Sequence, residues 1–418
     1  MFLRKYLVAT VLLACGPAWA APTTRPAPRP VLAKSPPALM TFYVVRGSPD
    51  ACGPGCSNWL AVEGQVDSGA AARFRKFLRQ VRDRGLPIYF SSPGGNLDQA
   101  LAMGAMLREK PVVARVARTV VDECGFEAQD SDVCMKLKQS GRELHGDLQT
   151  RGAMCNSACP YLILGATVRE IAPDVGLAVH SPKVVLNFRG GVPTPEMRAA
   201  ATQRSLARAD HMLSNYIFKM GANPGLLALA NSIKFEDTHV LSREEIARFG
   251  IDARPFSETA WTLESAARPY IRKFALARKD NVNAFRTMEW RLFCENKDRA
   301  RLMYVRETDP GAATVSSVIM MAGPERSVAL KFPARVGRFE VWSDTIAPDP
   351  MKAMLRAPRL QVGEGTLTPD GKTSLASFDI DTVGLQSVWT QLLASCPVAP
   401  AGARPVAAWP GLGRAPTQ

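Results

Sequence analysis

Residues 87–109, PIYFSSPGGNLDQALAMGAMLRE, decide the fold predicted for the first half of the chain. The apolar run at residues 87–90 is typical of a short buried strand, and Asn96 is a good N-cap for the helical apolar pattern that follows it. Between them, Gly94 and Gly95 allow a tight turn that another backbone can approach closely. The segment therefore predicts a strand, a glycine turn and a helix.

The flanking segments continue this alternation of strands and helices. Residues 59–64 are typical of a strand, and Asp67 or Ser68 is expected to cap an amphipathic helix. Gly85 is expected to end that helix, and residues 112–119 are expected to form the next strand. Strands that alternate with helices form a largely parallel sheet with right-handed crossovers, so this half is predicted to be α/β.

Composition and charge limit the class of protein. At roughly 150 residues per domain, the 418 residues suggest two or three domains. The 46% hydrophobic and 22% charged composition excludes a disordered chain and a multi-span membrane protein, and is typical of a soluble globular one. The formal net charge of +14 permits peripheral contact with an anionic envelope. No nucleic-acid-binding motif accompanies this charge, so we expect no nucleic-acid partner.

The N-terminus has the features of an export signal. Two basic residues precede an apolar stretch at residues 6–15, and the small residues around Ala20 suit cleavage by signal peptidase after that residue. This apolar stretch is too short to span a membrane, which takes about 20 residues. We therefore expect residues 1–20 to be removed and the protein to be periplasmic or secreted. A lipoprotein anchored at Cys15 is the alternative.

The cysteines favour disulfides. Beyond Cys15 the chain has eight, at Cys52, Cys56, Cys124, Cys134, Cys155, Cys159, Cys294 and Cys396. An even count in an exported chain favours bridges, although the close spacing of two pairs is also compatible with metal knuckles. The chain has only 4 histidines, so we expect neither metal nor cofactor. Cys294 and Cys396 are expected to bridge each other. Cys155 and Cys159 are expected to bridge other segments, and reactive thiols are the alternative for these two.

The pattern changes along the chain and predicts two domains. Helices alternate with short strands before the boundary near residues 254–265, and β-like runs predominate after it. We predict an α/β domain at residues 41–256 and a smaller β-rich domain of unknown role at residues 265–400. The proline-rich segments at residues 21–40 and 401–418 are predicted to be an extended linker and a flexible tail.

Three short segments carry residue types that acyl transfer needs: residues 92–95, 155–160 and 179–182. That chemistry requires a nucleophilic oxygen, a base that takes its proton, and backbone N–H donors where the oxyanion develops. Ser157 lies where a strand is expected to turn into a helix, with the N–H of Ala158 beside it. Each segment alone indicates no more than a turn or a helix cap.

Together, the order of these segments resembles the proteolytic subunit of Clp protease, and more closely its exported relatives. The resemblance covers residues 55–255 and implies the repeated β-β-α spiral of the ClpP/crotonase-like superfamily. Carried over residue by residue, it implies that Ser157 is the nucleophile and His180 the general base. It also implies an oxyanion hole made by the N–H groups of Gly95 and Ala158.

The sequence departs from the family pattern in three ways. Ala-Cys-Pro follows Ser157, where the family has Met-Gly-Ala. The position of the family's acid is Thr238, with Asp237 next to it, so Asp237 is a candidate third catalytic residue and a solvated surface charge is the alternative. An insertion at about residues 120–154 carries two cysteines and is expected to form a disulfide-tied flap over the cleft.

The resemblance implies an exported serine hydrolase, most simply a peptidase, that associates with copies of itself. Because the compartment expected for an exported protein lacks ATP, we expect no ATPase partner and substrates that are peptides or already unfolded protein. The first alternative is a catalytically inactive envelope-binding or scaffold protein on the same fold. The second is acyl chemistry on thioesters, as in the crotonase relatives. His145, His211 and His239 fall in no matched motif and are assigned to surface or packing positions.

Overall fold

The structure is a computed structural model that describes residues 38–396, except 84, 185, 187, 189–192, 281, 297–298, 311–314, 324, 331–332 and 368–372. The predicted signal segment with its cleavage site at Ala20, the alternative lipidation site Cys15, most of the predicted linker and the predicted tail lie outside the described residues.

The described chain is a mixed α/β protein whose helices lie mostly in the first half. In chain order the elements of that half are β1 (Thr41–Arg46), β2 (Asn58–Glu63), α1 (Ala70–Gln80), β3 (Ile88–Ser91), α2 (Leu97–Arg108), β4 (Val113–Val116), β5 (Arg118–Val121), a 3-10 helix (Asp122–Cys124), α3 (Asp132–Lys138), β6 (Leu144–Gln149), β7 (Met154–Asn156), α4 (Cys159–Leu164), β8 (Val168–Glu170), β9 (Gly176–Val179), α5 (Pro195–Lys219), α6 (Gly225–Ser232), β10 (His239–Val240) and α7 (Arg243–Arg248).

These strands form two sheets. The larger has seven strands in the order β5-β6-β1-β2-β3-β4-β8. Its strands β2, β3, β4 and β8 run parallel to one another, as the alternation with helices predicts, whereas β1 is antiparallel to β2. The smaller sheet has the order β10-β9-β7, with β7 and β9 parallel. Strands β7 and β9 lead into Ser157 and His180.

The strand, turn and helix predicted for residues 87–109 are present as β3, a glycine turn and α2. Asn96 caps α2, and its side chain accepts a hydrogen bond from the Gln99 N–H. The expected ends of the preceding helix were wrong: α1 begins after Gly69 and ends at Gln80. Its N-cap shifts because the Asp67 carboxylate accepts a hydrogen bond from the Gly69 N–H and so forms a turn ahead of the helix.

The larger sheet is covered on both faces. Leu60 and Val62 of β2 pack in one core with side chains of α1, α2 and α4. Trp59 and Ala61, which alternate with them along the strand, point into a second core on the opposite face. The sheet therefore separates α4, which follows Ser157, from everything packed in the second core.

The cysteine-bearing insertion belongs to this second core and is not a flap over Ser157. Cys124 and Cys134 are buried there beside residues of β1 and β2. Lys138, at the end of α3, is buried and its Nζ lies 2.9 Å from Glu63 Oε2 on β2. A buried lysine needs such a carboxylate partner, so this ion pair holds the insertion against the sheet.

The second half of the described chain is rich in strands around a core of its own. Its elements are β11 (Phe256–Glu258), β12 (Thr262–Glu264), β13 (Tyr270–Arg278), β14 (Phe285–Asn296), β15 (Arg299–Glu307), β16 (Val315–Ala322), β17 (Glu325–Leu330), β18 (Ala334–Val336), β19 (Phe339–Ile346), α8 (Pro348–Arg356), β20 (Arg359–Leu367), β21 (Thr373–Asp381) and α9 (Leu385–Ala394). The strands form antiparallel sheets in the orders β11-β13-β14-β15-β19-β18 and β17-β16-β20-β21. Trp261, Trp290 and Trp342 are buried between them.

Four disulfides join the eight described cysteines. The pairs are Cys52–Cys56, Cys124–Cys134, Cys155–Cys159 and Cys294–Cys396. The bridge predicted between Cys294 and Cys396 is confirmed. The expectation that Cys155 and Cys159 reach other segments was wrong, because their Cα atoms lie 5.1 Å apart and bridge each other. Such bridges fit an oxidising compartment. In the described ranges, no helix combines the length and apolar character needed to cross a membrane.

Candidate active site

Ser157 lies at the sharp turn between β7 and α4. Its φ is +59°, and Asp50 is the only other described non-glycine residue with a left-handed φ. An L-residue in this region carries strain of about 1–2 kcal/mol, so the neighbouring structure must hold it there. A serine on a strained strand-to-helix turn is the arrangement that exposes a nucleophilic hydroxyl. The Ser157 side chain is half-buried.

Hydrogen bonds fix the backbone on both sides of this turn. The Asn156 N–H donates to the Ser92 carbonyl at 3.0 Å, and the Ser157 N–H donates to the Ala178 carbonyl at 2.8 Å. The first bond ties the turn to the segment after β3, and the second ties it to β9. The turn at Ser157 is therefore held by both of the strands whose ends contribute to the site.

Gly94 packs directly against this turn. A Cβ atom added there would lie 2.5 Å from Ser157 Cβ and 2.5 Å from the Asn156 carbonyl oxygen, and Gly94 has a φ of +98°. No side chain fits in that space. From the sequence, a role was assigned to Gly95 alone, in the oxyanion hole, and the contact between Gly94 and the Ser157 turn was missed. The Gly-Gly motif was the signal that could have indicated this contact.

Gly95 turns the other way, toward the neighbouring chain segment at Val66. A Cβ on Gly95 would lie 2.3 Å from the Val66 carbonyl oxygen, which accepts a hydrogen bond from the Asn96 N–H at 2.7 Å. This close approach fixes the orientation of the Gly95 peptide. Like Gly94, Gly95 has a positive φ that favours glycine.

The two amide groups predicted for the oxyanion hole are free donors. Within the residues that the structure describes, neither the Gly95 N–H nor the Ala158 N–H donates to a protein acceptor. The Gly94 N–H, in contrast, donates to Ser92 Oγ at 3.1 Å. Ala158 is buried at the N-cap of α4, so its N–H precedes the first helical turn. Free backbone donors of this kind are what an oxyanion hole requires.

His180 follows β9 and is held by its own neighbour. Its Nδ1 lies 2.8 Å from the Ser181 carbonyl oxygen. A carbonyl only accepts, so Nδ1 carries a proton, and in the neutral ring Nε2 is then the nitrogen with the lone pair that a general base needs. The Ser181 N–H donates to the Ile233 carbonyl at 2.9 Å, and the Phe235 ring packs edge-on against the imidazole at 5.0 Å.

The sheet register brings Ser157 and His180 to the same edge. Asn156 pairs with Ala178 across the parallel strands β7 and β9. Each candidate residue therefore leaves the carboxyl end of one of two adjacent strands, which lie about 4.8 Å apart. Among the contacts of the described residues there is no hydrogen bond between the Ser157 hydroxyl and the imidazole. Such bonds are often long before substrate binds.

Asp237 lies on an exposed loop after α6. Its N–H donates to the Lys234 carbonyl at 3.1 Å, and in the described part of the chain its carboxylate has no hydrogen bond or ion pair. The acceptor that orients His180 is the Ser181 carbonyl. The catalytic role of Asp237 remains a prediction. Sequence reasoning missed Ser181 because a main-chain acceptor leaves no residue signature.

The other histidines make contacts outside this site. Each lies within hydrogen-bonding distance of a polar side chain: His145 of Glu123, His211 of Asn215, and His239 of Glu245.

A separate cleft of about 800 Å³ lies between the two halves of the described chain, on the sheet face opposite α4. Tyr89 and Arg115 line one wall and Trp261 the other, and none of the candidate catalytic residues borders it. Next to it, the buried Lys273 pairs with Glu258 and Asp381. Burial raises the pKa of the Glu258 carboxyl to about 7.

Comparison with known proteins does not identify the chain. No protein family matches it, and neither does any curated protein. Among solved structures, a serine-to-alanine mutant of the 1510-N membrane-bound stomatin-specific protease matches 46% of this chain and 75% of its own, at 15% identity and a TM-score of 0.27. A score this low does not establish a shared fold.

Proposed function

We propose that the chain is an exported serine hydrolase, an ATP-independent peptidase, in which Ser157 is the nucleophile and His180 the general base. The observation that carries the proposal is the left-handed Ser157 at the turn from β7 to α4, with its N–H bonded to the strand that ends in His180. A structural helix cap has no need of this strain. A nucleophile does, because the turn exposes its hydroxyl.

The reaction would follow the general scheme of serine hydrolases. His180 Nε2 takes the Ser157 Oγ proton as Oγ attacks the amide carbonyl, and the N–H groups of Gly95 and Ala158 stabilise the developing oxyanion. The imidazolium then gives its proton to the leaving amine. A water molecule attacks the acyl-enzyme while Nε2 takes its proton, and the serine is regenerated.

The Ser181 carbonyl would act here in place of a catalytic carboxylate. It holds the imidazole in the correct tautomer through the 2.8 Å bond to Nδ1. It carries only a partial negative charge, so it stabilises the imidazolium less than an aspartate would. We therefore expect slower turnover than in an enzyme with a complete triad, and Asp237 is the residue whose substitution tests this assignment.

The wider assignment follows from the same proposal. Residues 41–256 would have the ClpP/crotonase-like spiral, which the parallel strands with intervening helices support. Cleavage after Ala20 would deliver the protein to the periplasm or the exterior, in agreement with four disulfides. Substrates would be peptides or unfolded segments, and copies of the chain would self-associate. The β-rich second half would be a separate domain at residues 265–400.

A fluorophosphonate probe, which reacts with activated serines, tests the proposal. We expect the folded wild type to be labelled, and Ser157→Ala to abolish labelling. His180→Ala is expected to lower the labelling rate about 10⁴-fold or more, with the thermal unfolding transition retained. Asp237→Asn, the matched polar control, leaves the rate unchanged if the Ser181 carbonyl is the orienting group. A rate loss in Asp237→Asn would instead make Asp237 the third catalytic residue.

The second candidate is an inactive envelope-binding or scaffold protein. The absence of a carboxylate partner on His180 within the described chain favours it. It predicts that the well-folded wild type, like Ser157→Ala, shows no labelling.

A further inference from the structure

A disulfide encloses the Ser157 turn. The bond between Cys155 and Cys159 closes a loop of five residues with Ser157 at its centre, and both cysteines are fully buried. Cys155 is the middle residue of β7, and Cys159 is the first residue of α4. The bond therefore ties the end of the strand to the start of the helix across the residue that carries the strain.

The helix side of the loop lacks the hydrogen bonds that hold the strand side. Asn156 and Ser157 are bonded through their N–H groups to neighbouring segments. After Ser157, the Ala158 N–H makes no bond within the described chain. Pro160, next along α4, has no N–H to offer. On this side of the turn, the covalent link at Cys159 adds to the packing of α4, whose residues are buried in the core.

A second loop of the same size provides a comparison inside the molecule. Cys52 and Cys56 have the same sequence separation of 4 and the same Cα–Cα distance of 5.1 Å as Cys155 and Cys159. We call residues 52–56 the glycine loop and residues 155–159 the serine loop. In the glycine loop, positive φ values fall on Gly53 and Gly55, where they cost little. In the serine loop the positive φ falls on Ser157.

We propose that the Cys155–Cys159 disulfide is a positioning element that holds Ser157 in the left-handed conformation from which its hydroxyl can react. This inference rests on the proposed function. Without the bond, Ser157 can relax to a negative φ, which turns its side chain away from the position set by the Gly94 contact. A nucleophile displaced by about 1 Å loses about 100-fold in rate, while binding of the probe to the rest of the site is unaffected.

The test compares two double variants of the mature full-length chain, Cys155→Ala/Cys159→Ala and Cys52→Ala/Cys56→Ala. Fluorophosphonate labelling is followed at several probe concentrations, which separates the maximal inactivation rate from the concentration at half-maximal rate. We expect the serine-loop variant to lose about 10- to 100-fold in maximal rate with an unchanged half-maximal concentration and a retained unfolding transition. The glycine-loop variant keeps the wild-type rate. Wild-type kinetics in both variants would overturn the proposal, as would equal losses in both.

A second measurement applies if the serine-loop variant does not fold. Dithiothreitol is added to the native wild type, so that each opened disulfide gains two electrons and two protons while the reagent becomes its cyclic disulfide. Alkylation and peptide mapping then identify which pair is open. We expect the labelling rate to fall as the Cys155–Cys159 pair opens and to recover when it is reoxidised. Labelling at the full rate with this pair open would contradict the proposal.

The outcomes distinguish this inference from the proposed function. A labelled wild type whose rate is independent of the Cys155–Cys159 bond removes the positioning role and leaves the hydrolase intact. A folded, oxidised wild type that reacts no faster than Ser157→Ala removes both.

Discussion

The serine loop and the glycine loop close rings of equal size and accommodate the left-handed turn in different ways. The glycine loop has Gly53 and Gly55 at its positive φ positions, and a Cβ on Gly55 would meet no atom within 4 Å. The serine loop has a serine at φ +59° with a glycine from another segment packed against it. A glycine at this position would remove strain of about 1–2 kcal/mol. The strain is retained only in the serine loop, which lies beside His180. This retention is what the proposed role of Ser157 as nucleophile predicts.

The largest expected effect comes from removing that hydroxyl. Ser157→Ala is expected to lower peptidase or esterase turnover about 10⁴-fold or more, because the remaining backbone donors act only on the oxyanion. Alanine keeps the same backbone strain, so the unfolding temperature should match the wild type. Assays of turnover and thermal unfolding on one preparation check both points. Turnover that survives in Ser157→Ala would place the chemistry elsewhere.

The next largest effect is steric and comes from Gly94, which packs against the Ser157 turn from another segment of the chain. Gly94→Ala is expected to destabilise the protein by about 2–4 kcal/mol and to abolish probe labelling, because its Cβ would meet Ser157 Cβ and the Asn156 carbonyl. The matched control is Gly55→Ala, which has a positive φ of +76° but open space around it. It should cost about 0.5–1 kcal/mol, since the lower entropy of the unfolded chain offsets part of the left-handed strain, and it should leave labelling intact. Urea unfolding and labelling rates measure both variants, and equal losses of labelling would show that Gly94 has no special relation to Ser157.

A smaller effect has opposite signs in the two loops, because exchanging serine and glycine at the positive-φ position stabilises one loop and destabilises the other. Ser157→Gly relieves the left-handed strain and is expected to stabilise the chain by about 0.5–1 kcal/mol, since part of the gain is offset by the greater entropy of the unfolded chain. Gly55→Ser should destabilise it by a similar amount. Free energies of unfolding in urea provide the comparison. Destabilisation by Ser157→Gly would mean that the serine is there for stability.

The smallest expected effect concerns stability alone and comes from the buried cluster of Lys273, Glu258 and Asp381 next to the cleft between the two halves. The Glu258 pKa is raised from 4.5 to about 7 by burial, so the unfolded state loses this proton at lower pH than the folded state does. The contribution of Glu258 to stability is therefore full below about pH 4.5 and is lost as pH rises toward 7. Glu258→Gln should flatten that part of the profile, measured by urea unfolding across this range, and leave labelling of Ser157 unchanged. A change in labelling would couple the cluster to the active site.

Sequence reasoning predicted those parts of the fold that depend on local pattern. The strand, turn and helix at residues 87–109 were predicted from the spacing of apolar residues and from the helix cap at Asn96. The turn at Ser157 was predicted because this residue precedes a helix. The left-handed φ of Ser157 did not follow, because tertiary contacts impose it against local preference. The place of the insertion was wrong because tertiary contacts determine it: β6 pairs with β1, and the buried Lys138 pairs with Glu63.

At the candidate site, the pattern indicated residue types but not partners. Gly94 and Gly95 were recognised as a turn. Which of them packs against Ser157 depends on the orientation of the peptide groups, which the sequence does not specify. The Ser181 carbonyl could not be foreseen, since any residue supplies one. The pairing of Cys155 with Cys159 was missed for a similar reason. A four-residue spacing permits a bridge only when the chain turns sharply between the two cysteines.

The most direct test of the account is peptide mapping by mass spectrometry of the folded, oxidised wild-type protein after reaction with a fluorophosphonate. We expect one adduct per chain, on the peptide that contains the Cys155–Cys159 bond, with the added mass on Ser157. An adduct on any other residue, or intact unmodified protein after prolonged reaction, would contradict it.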